Sequence, residues 1–170
     1  MSLLTKSNIL DEILQKRIVI EPQLKQDQIN GASIDLTLGD EFRIFRKRAG
    51  AIDILENTDY KRYTTQVKSK TILIRPQETI IAITKEKISL PNNIVGWLEG
   101  RSRFARLGLL IHISAGLIHP GVKNRQVLEI TNLSPNILNL HAGERICQLA
   151  LEYTKGPTQY SGKFRTQTKP

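Results

Sequence analysis

Two short stretches concentrate the residues able to do chemistry. Residues 99–109, EGRSRFARLGL, place Arg101, Ser102, Arg103 and Arg106 within six positions. Ala105 and its neighbours suit one helical turn, and Gly108 suits its C-terminal end. Ser102 and Arg106 then lie at i and i+4 on one face. Free backbone N–H groups, a hydroxyl and guanidinium forks together favour a phosphate. The same composition suits a basic surface turn, and this stretch alone leaves both readings open. The second stretch is RQVLEITN, residues 125–132. In a strand, Val127, Glu129 and Thr131 share one face, while Leu128 and Ile130 share the other. Glu129 is then either a solvated face residue or a carboxylate in a pocket, where it can take a proton from water and pass it on.

Between them lies HISAGLIHPGV, residues 112–122. Its alanine, glycines and proline shape a turn that carries His112 and His119. A neutral imidazole can donate a hydrogen bond or act as a base. His112 stands in an apolar run and reads as a core histidine. His141 precedes Ala-Gly in a surface turn and is given no role. These three histidines and the single Cys147 do not form a zinc-ligand signature. One cysteine also excludes an internal disulfide, and Cys147 reads as a small buried hydrophobe.

Several elements must position these groups. Residues 7–17, SNILDEILQKR, predict a helix with Ser7 as N-cap and Ile9, Leu10, Ile13 and Leu14 on one face. Thereafter the pattern is of strands: ASIDLTL, EFRIF, KTILIRP, ETIIAIT, NIVGWLEG, LLIHIS, QVLEIT, NILNL and ICQLALEY, separated by turn residues or charge. Many short strands predict an all-β barrel or sandwich. Residues 46–70 predict a long loop or hairpin. Residues 154–170 lack apolar periodicity and predict a mobile tail behind a single domain at 1–153.

Composition narrows the partners. The chain of 170 residues carries 25 Lys+Arg against 16 Asp+Glu, a net charge of +9, which attracts polyanions. Aromatics are only 5% and none interleave with the basic runs, so single-stranded nucleic acid lacks its stacking platforms. No apolar run is long enough to span a bilayer. The first residues, MSLLTKSNIL, have no basic region followed by an apolar core, so a cytoplasmic location is expected.

Taken in order, GRSRFARLGLLIHISAGLIHPG, QVLEITN, AGERICQL and YSGKFRTQ resemble the dCTP deaminase family, kin of the trimeric dUTPases. INGASIDLTLGDEFRIF and ISLPNNIVGWLEG resemble it too, so nearly the whole chain takes part. The resemblance implies a mainly β fold, a distorted dUTPase-like β-barrel (β-clip) with a short N-terminal helix and few other helical turns. It implies a homotrimer with active sites between subunits. It implies hydrolysis of dCTP to dUTP and ammonia, with Mg2+ riding on the triphosphate, no zinc, and dTTP as a feedback inhibitor.

By position, Glu129 matches the catalytic glutamate, with Arg106 and Ser102 beside the chemistry. Arg101, Ser102, Arg103, Phe104, Ala105 and Arg106 match the triphosphate turn. Ala115 matches a residue whose carbonyl holds the water, and Val127 and Leu128 match positions whose backbone reads the base. Gln148, Tyr160, Lys163 and Gln167 match nucleotide contacts, the last three in a tail closing over the phosphates.

The chain departs from that pattern at Arg103, where a serine is usual, and at Val122 and Asn124, where an aromatic residue and a glycine are usual. It departs most at His119, where deaminases and dUTPases carry an aspartate near the sugar that, in dUTPases, activates water. His119 therefore disfavours pyrophosphatase or bifunctional chemistry. It leaves open a nucleotide-binding paralogue with weak catalysis.

Overall fold

The structure, a computed structural model, describes residues 2–112 and 114–170. In chain order it comprises α1 (Lys6–Leu14), β1 (Val19–Glu21), β2 (Ile29–Asn30), β3 (Ser33–Phe45), β4 (Thr64–Lys68), β5 (Thr71–Ile74), β6 (Thr79–Ser89), β7 (Ile94–Gly100), α2 (Ser102–Ala105), β8 (Leu109–Ile111), β9 (Leu117–Ile118), β10 (Lys123–Asn132), β11 (Leu138–His141) and β12 (Arg145–Tyr153). Single 3-10 turns lie at Gln26–Gln28 and Tyr60–Tyr63. The fold is mainly β, as expected.

Most strands join one antiparallel sheet in the order β8-β10-β6-β3-β12-β7-β9, with β1 added on β6 and β2 and β4 added on β3. This sheet curls into an open half-barrel. β5 and β11 form a separate ribbon. The segments ASIDLTL and EFRIF merge into the single strand β3. Its first half pairs with β12 and its second half with β6 and β4, so it carries the sheet around a corner. Alternation decides what lies inside: Ile34, Leu36 and Leu38 of β3, Ile80 and Ile88 of β6, Leu128 and Ile130 of β10, and Leu149 and Leu151 of β12 are all buried in one core.

The corner is built from a glycine and a bulge. The pairing of β3 with β6 slips between Leu38 and Phe42, where a Cβ on Gly39 would meet the Arg125 guanidinium at 2.7 Å and the Ile83 carbonyl at 2.8 Å. The pairing of β10 with β6 slips between Arg125 and Val127. The fully buried Thr84 hydroxyl fills that slip, accepting from Gln126 N–H at 3.0 Å and donating to Glu86 O at 2.9 Å. Arg125 closes the corner by donating to Thr84 O at 2.6 Å and to Glu41 Oε1 at 2.9 Å. Beyond the slip, Glu129 is set opposite Ile81.

Several expectations shift in detail. The helix is capped by Thr5 and ends at Leu14, because Arg17 turns back to grip the buried Glu12 at 2.6–2.7 Å. Ile9 is buried, whereas Leu10 and Leu14 stand exposed. The irregular stretch 46–70 closes as a hairpin whose return arm is β4, paired with β3 from Phe45↔Thr64 to Glu41↔Lys68. β8 stops at Ile111, and Ile113, within the strand expected there, lies outside the described residues. Residues 154–170 hold no strand yet lie against the body, with Pro170 buried.

Replacing Thr84 by Val keeps the shape and removes the hydroxyl, which strands a buried N–H and a buried carbonyl. The unfolding free energy is expected to fall by about 1–3 kcal/mol, read as a lower urea midpoint at unchanged slope; an unchanged midpoint would show that the bulge does not depend on this hydroxyl.

Candidate active site

Glu129 projects from β10 into a cavity of about 510 Å3, its side chain 42% exposed. The alternation read from the sequence holds here. Val127 lines the same cavity, while Leu128 points into the core. Ala115, His119, Tyr160 and Gln167 complete the group of expected residues that the fold brings together.

His112 supplies a contact that the sequence did not reveal. It follows β8 with φ of +53°, a left-handed conformation that non-glycine residues seldom adopt. Two bonds hold it there. Its N–H donates to Glu129 O at 2.8 Å, and Nε2 lies 2.9 Å from Ala115 O. A carbonyl can only accept, so Nε2 carries the proton. Nδ1 then faces Glu129 Oε2 at 2.7 Å. The contact meets the distance of an ion pair but not the direction of a hydrogen bond, and both buried atoms lack any other partner. Two lone pairs at this distance repel unless a proton lies between them, so this pair must share a proton or reorient. The imidazole thus sits between the carboxylate and the Ala115 carbonyl.

The aromatic part of the wall was also hidden in the sequence. Phe45 and Tyr60 come from the ends of the hairpin loop, and Phe164 comes from the tail. Burial pushes the Tyr60 phenol above its ordinary pKa; nearby Arg43 and the Gln167 amide pull it back, and Asp59 and Glu129 push it further up. His119 stacks on Tyr160, with ring centroids 4.7 Å apart and planes 6° from parallel.

The arginine turn forms as expected: α2 is one helical turn, Arg106 N–H donates to Ser102 O at 3.0 Å, and Gly108 follows at φ of +81°. It opens elsewhere. Arg101, Ser102, Arg103 and Gln148 line a cleft of about 360 Å3 together with Asp35. Arg101 is fixed there by Asp35 at 3.0 Å and by Arg145 O at 2.9 Å. Phe104 packs on the core, and Ala105 and Arg106 are exposed. Lys163 lies in a third cleft with Lys61 and Lys169, adjoining the Glu129 cavity through Tyr60, Phe164 and Gln167. Arg125 lines the Glu129 cavity, but its guanidinium is already spent on Glu41 and Thr84 O. One chain therefore presents the Glu129 carboxylate and the arginine turn in separate clefts.

A family model described as dCTP deaminase-like matches residues 3–154. The chain belongs to the dCTP deaminase-like family. A dUMP-forming dCTP deaminase of Methanobrevibacter smithii is 33% identical across this whole chain and 93% of its own length. A dCTP deaminase of Pectobacterium atrosepticum is 37% identical over 83% of this chain and 78% of its own. In three dimensions, the 2'-deoxycytidine 5'-triphosphate deaminase of Agrobacterium tumefaciens matches with a TM-score of 0.68 at 20% identity, over 89% of this chain. That match takes in 48% of the Agrobacterium chain, about half its length, and attests to the fold.

The geometry assigns the His112 tautomer. Nitrogen-15 spectra of the imidazole are expected to show the neutral ring protonated at Nε2, and an Nδ1–H tautomer would contradict the contact with Ala115.

Proposed function

We propose that the chain is a dCTP deaminase that converts dCTP and water to dUTP and ammonia, with Glu129 moving the protons. The supporting observation is the Glu129 carboxylate, set in the cavity wall with Ala115 and facing a buried imidazole at 2.7 Å. Water attacks C4 of cytosine as Glu129 takes one of its protons. The carboxylic acid then returns a proton to the amino nitrogen. The C4–N bond breaks, ammonia leaves, and the remaining water proton passes from the C4 hydroxyl to N3, so that C4 keeps the oxygen as a uracil carbonyl. Such positioned proton transfer contributes about 10²–10⁴-fold. Ser102 and the Ala115 carbonyl are the groups that would hold the water, and Arg106 would tune the carboxylate.

The separation of clefts supports an assembly in which one copy lends its 101–106 turn to the Glu129 cavity of another. A homotrimer with sites between subunits satisfies this. It would supply the triphosphate with guanidinium groups not already committed, as that of Arg125 is to Glu41 and Thr84 O. Mg2+ would ride on the nucleotide, where it would offset phosphate charge. A zinc-free route suits the donor set, since the one cysteine is buried and burial pushes its thiol pKa far up. dTTP would compete as a pyrimidine triphosphate of the same shape. No helix is long and apolar enough to cross a membrane, and a cytoplasmic enzyme acting on free nucleotides accords with this reading.

The product proposed is dUTP. Cleavage to dUMP needs a second activated water near the phosphates. Among the described residues lining the cavity, Glu129 is the one carboxylate, and position 119 offers an imidazole already stacked on Tyr160.

Chromatography of dCTP incubated with the protein and magnesium is expected to show dUTP and ammonia without dUMP. Glu129→Gln is expected to lower the rate by about 10²–10⁴-fold while circular dichroism and oligomeric mass stay unchanged. Binding without turnover in the unaltered chain would overturn the reading, and dUMP with pyrophosphate would overturn the product.

A further inference from the structure

His119, Val122 and Asn124 are the positions of the 112–124 stretch that depart from the family pattern. The proposed chemistry uses none of them. Two of the three touch the chain's own C-terminal segment. His119 stacks on Tyr160, and the buried Asn124 donates from Nδ2 to Phe164 O at 2.8 Å. Backbone bonds run alongside: Thr158 N–H to Asn92 O at 2.7 Å, Tyr160 N–H to Pro120 O at 3.0 Å, Lys123 N–H to Arg165 O at 2.8 Å and Arg125 N–H to Gln167 O at 2.9 Å. The last two satisfy the start of β10, which β8 reaches only from Ile130 onward. The tail thus takes the place of a missing edge strand.

Two glycines make room for this docking. Gly121 adopts φ of +77°, and a Cβ there would meet Gln159 at 2.8 Å and Asn92 at 2.9 Å. A Cβ on Gly162 would overlap the Tyr160 ring itself. The phenol is therefore gripped between the His119 imidazole on the body and the tail backbone folding back at Gly162. The docked segment brings Tyr160, Phe164 and Gln167 to the Glu129 cavity.

We propose that His119 is a positioning residue that clasps the chain's own C-terminal segment over the Glu129 cavity through its stack on Tyr160, so that the cavity is roofed before any nucleotide arrives. An aromatic pair suits this task because its attraction needs neither charge nor ligand. A carboxylate at position 119 has no face on which the phenol can stack.

Hydrogen exchange on the full-length, nucleotide-free protein tests the clasp. The amides of Thr158, Tyr160, Lys123 and Arg125 are expected to be protected. His119→Ala and Tyr160→Ala are each expected to lower protection at Thr158 and Tyr160 by roughly tenfold, the upper scale of one aromatic pair. Amides of Leu149 and Leu151 should stay protected, reporting an intact core. His119→Phe keeps a flat ring and is expected to preserve the protection, whereas His119→Asp is expected to lose it. Free exchange of the segment in the unaltered protein would overturn the proposal. So would unchanged exchange in His119→Ala, or a His119→Phe variant that exchanges as fast as His119→Ala. Exchange needs no turnover, so the clasp and the deaminase reading can fail separately.

Discussion

The arrangement of this protein depends on a steric constraint at one corner, where β3, β6 and β10 cross. Gly39 leaves space that any side chain would fill, and the Arg125 guanidinium occupies it. From there Arg125 reaches Thr84 O on one strand and Glu41 on another. The buried Thr84 hydroxyl completes the slip in register between β6 and β10. A slip that kept alternation intact puts Glu129 on the cavity face and Leu128 in the core; a shift of one residue would exchange them. The same Arg125 receives the tail, through its N–H to Gln167 O and its NH1 to Thr168 O at 3.4 Å. One half-buried cation therefore links sheet curvature, the register of the carboxylate and the path of the last residues.

Around Glu129 the chain concentrates proton-handling groups and few free charges. His112 and Glu129 face each other across 2.7 Å, and the imidazole's other nitrogen is committed to Ala115. This arrangement makes the surroundings of the carboxylate depend on the conformation of one short turn. The left-handed φ at His112 is the strained element that brings the ring there. The arginines lie apart, where Asp35 and the Arg145 carbonyl orient Arg101. Separating guanidinium groups from the carboxylate within a chain avoids an internal ion pair between them.

Much of this was legible in the chain itself. The alternation of Val127, Glu129 and Thr131 against Leu128 and Ile130 reports the true faces of β10, because one buried face imposes period two. The single turn at 102–105 and the glycine after it follow from local preference. Other features left no local trace. His112 reads as a core histidine in an apolar run; burial was legible, but its facing Glu129 depends on where a left-handed turn aims the ring. β4, TTQVK, is too polar to show as a strand and exists because β3 offers it an edge. The tail has no periodicity, since its order comes from backbone bonds to β10 and from one aromatic stack.

The sequence by itself determined the family, the mainly β class, the facing of Glu129 and the make-up of the arginine turn. These rest on local steric preference and on ordered motifs, which survive without knowledge of distant contacts. Tertiary structure alone decided that His112 meets Glu129, that His119 packs on Tyr160, and that the carboxylate and the arginines of one chain open into separate clefts. Each of these is a relation between segments, set by how the sheet turns at Gly39 and where the register slips, and no single stretch of sequence encodes it.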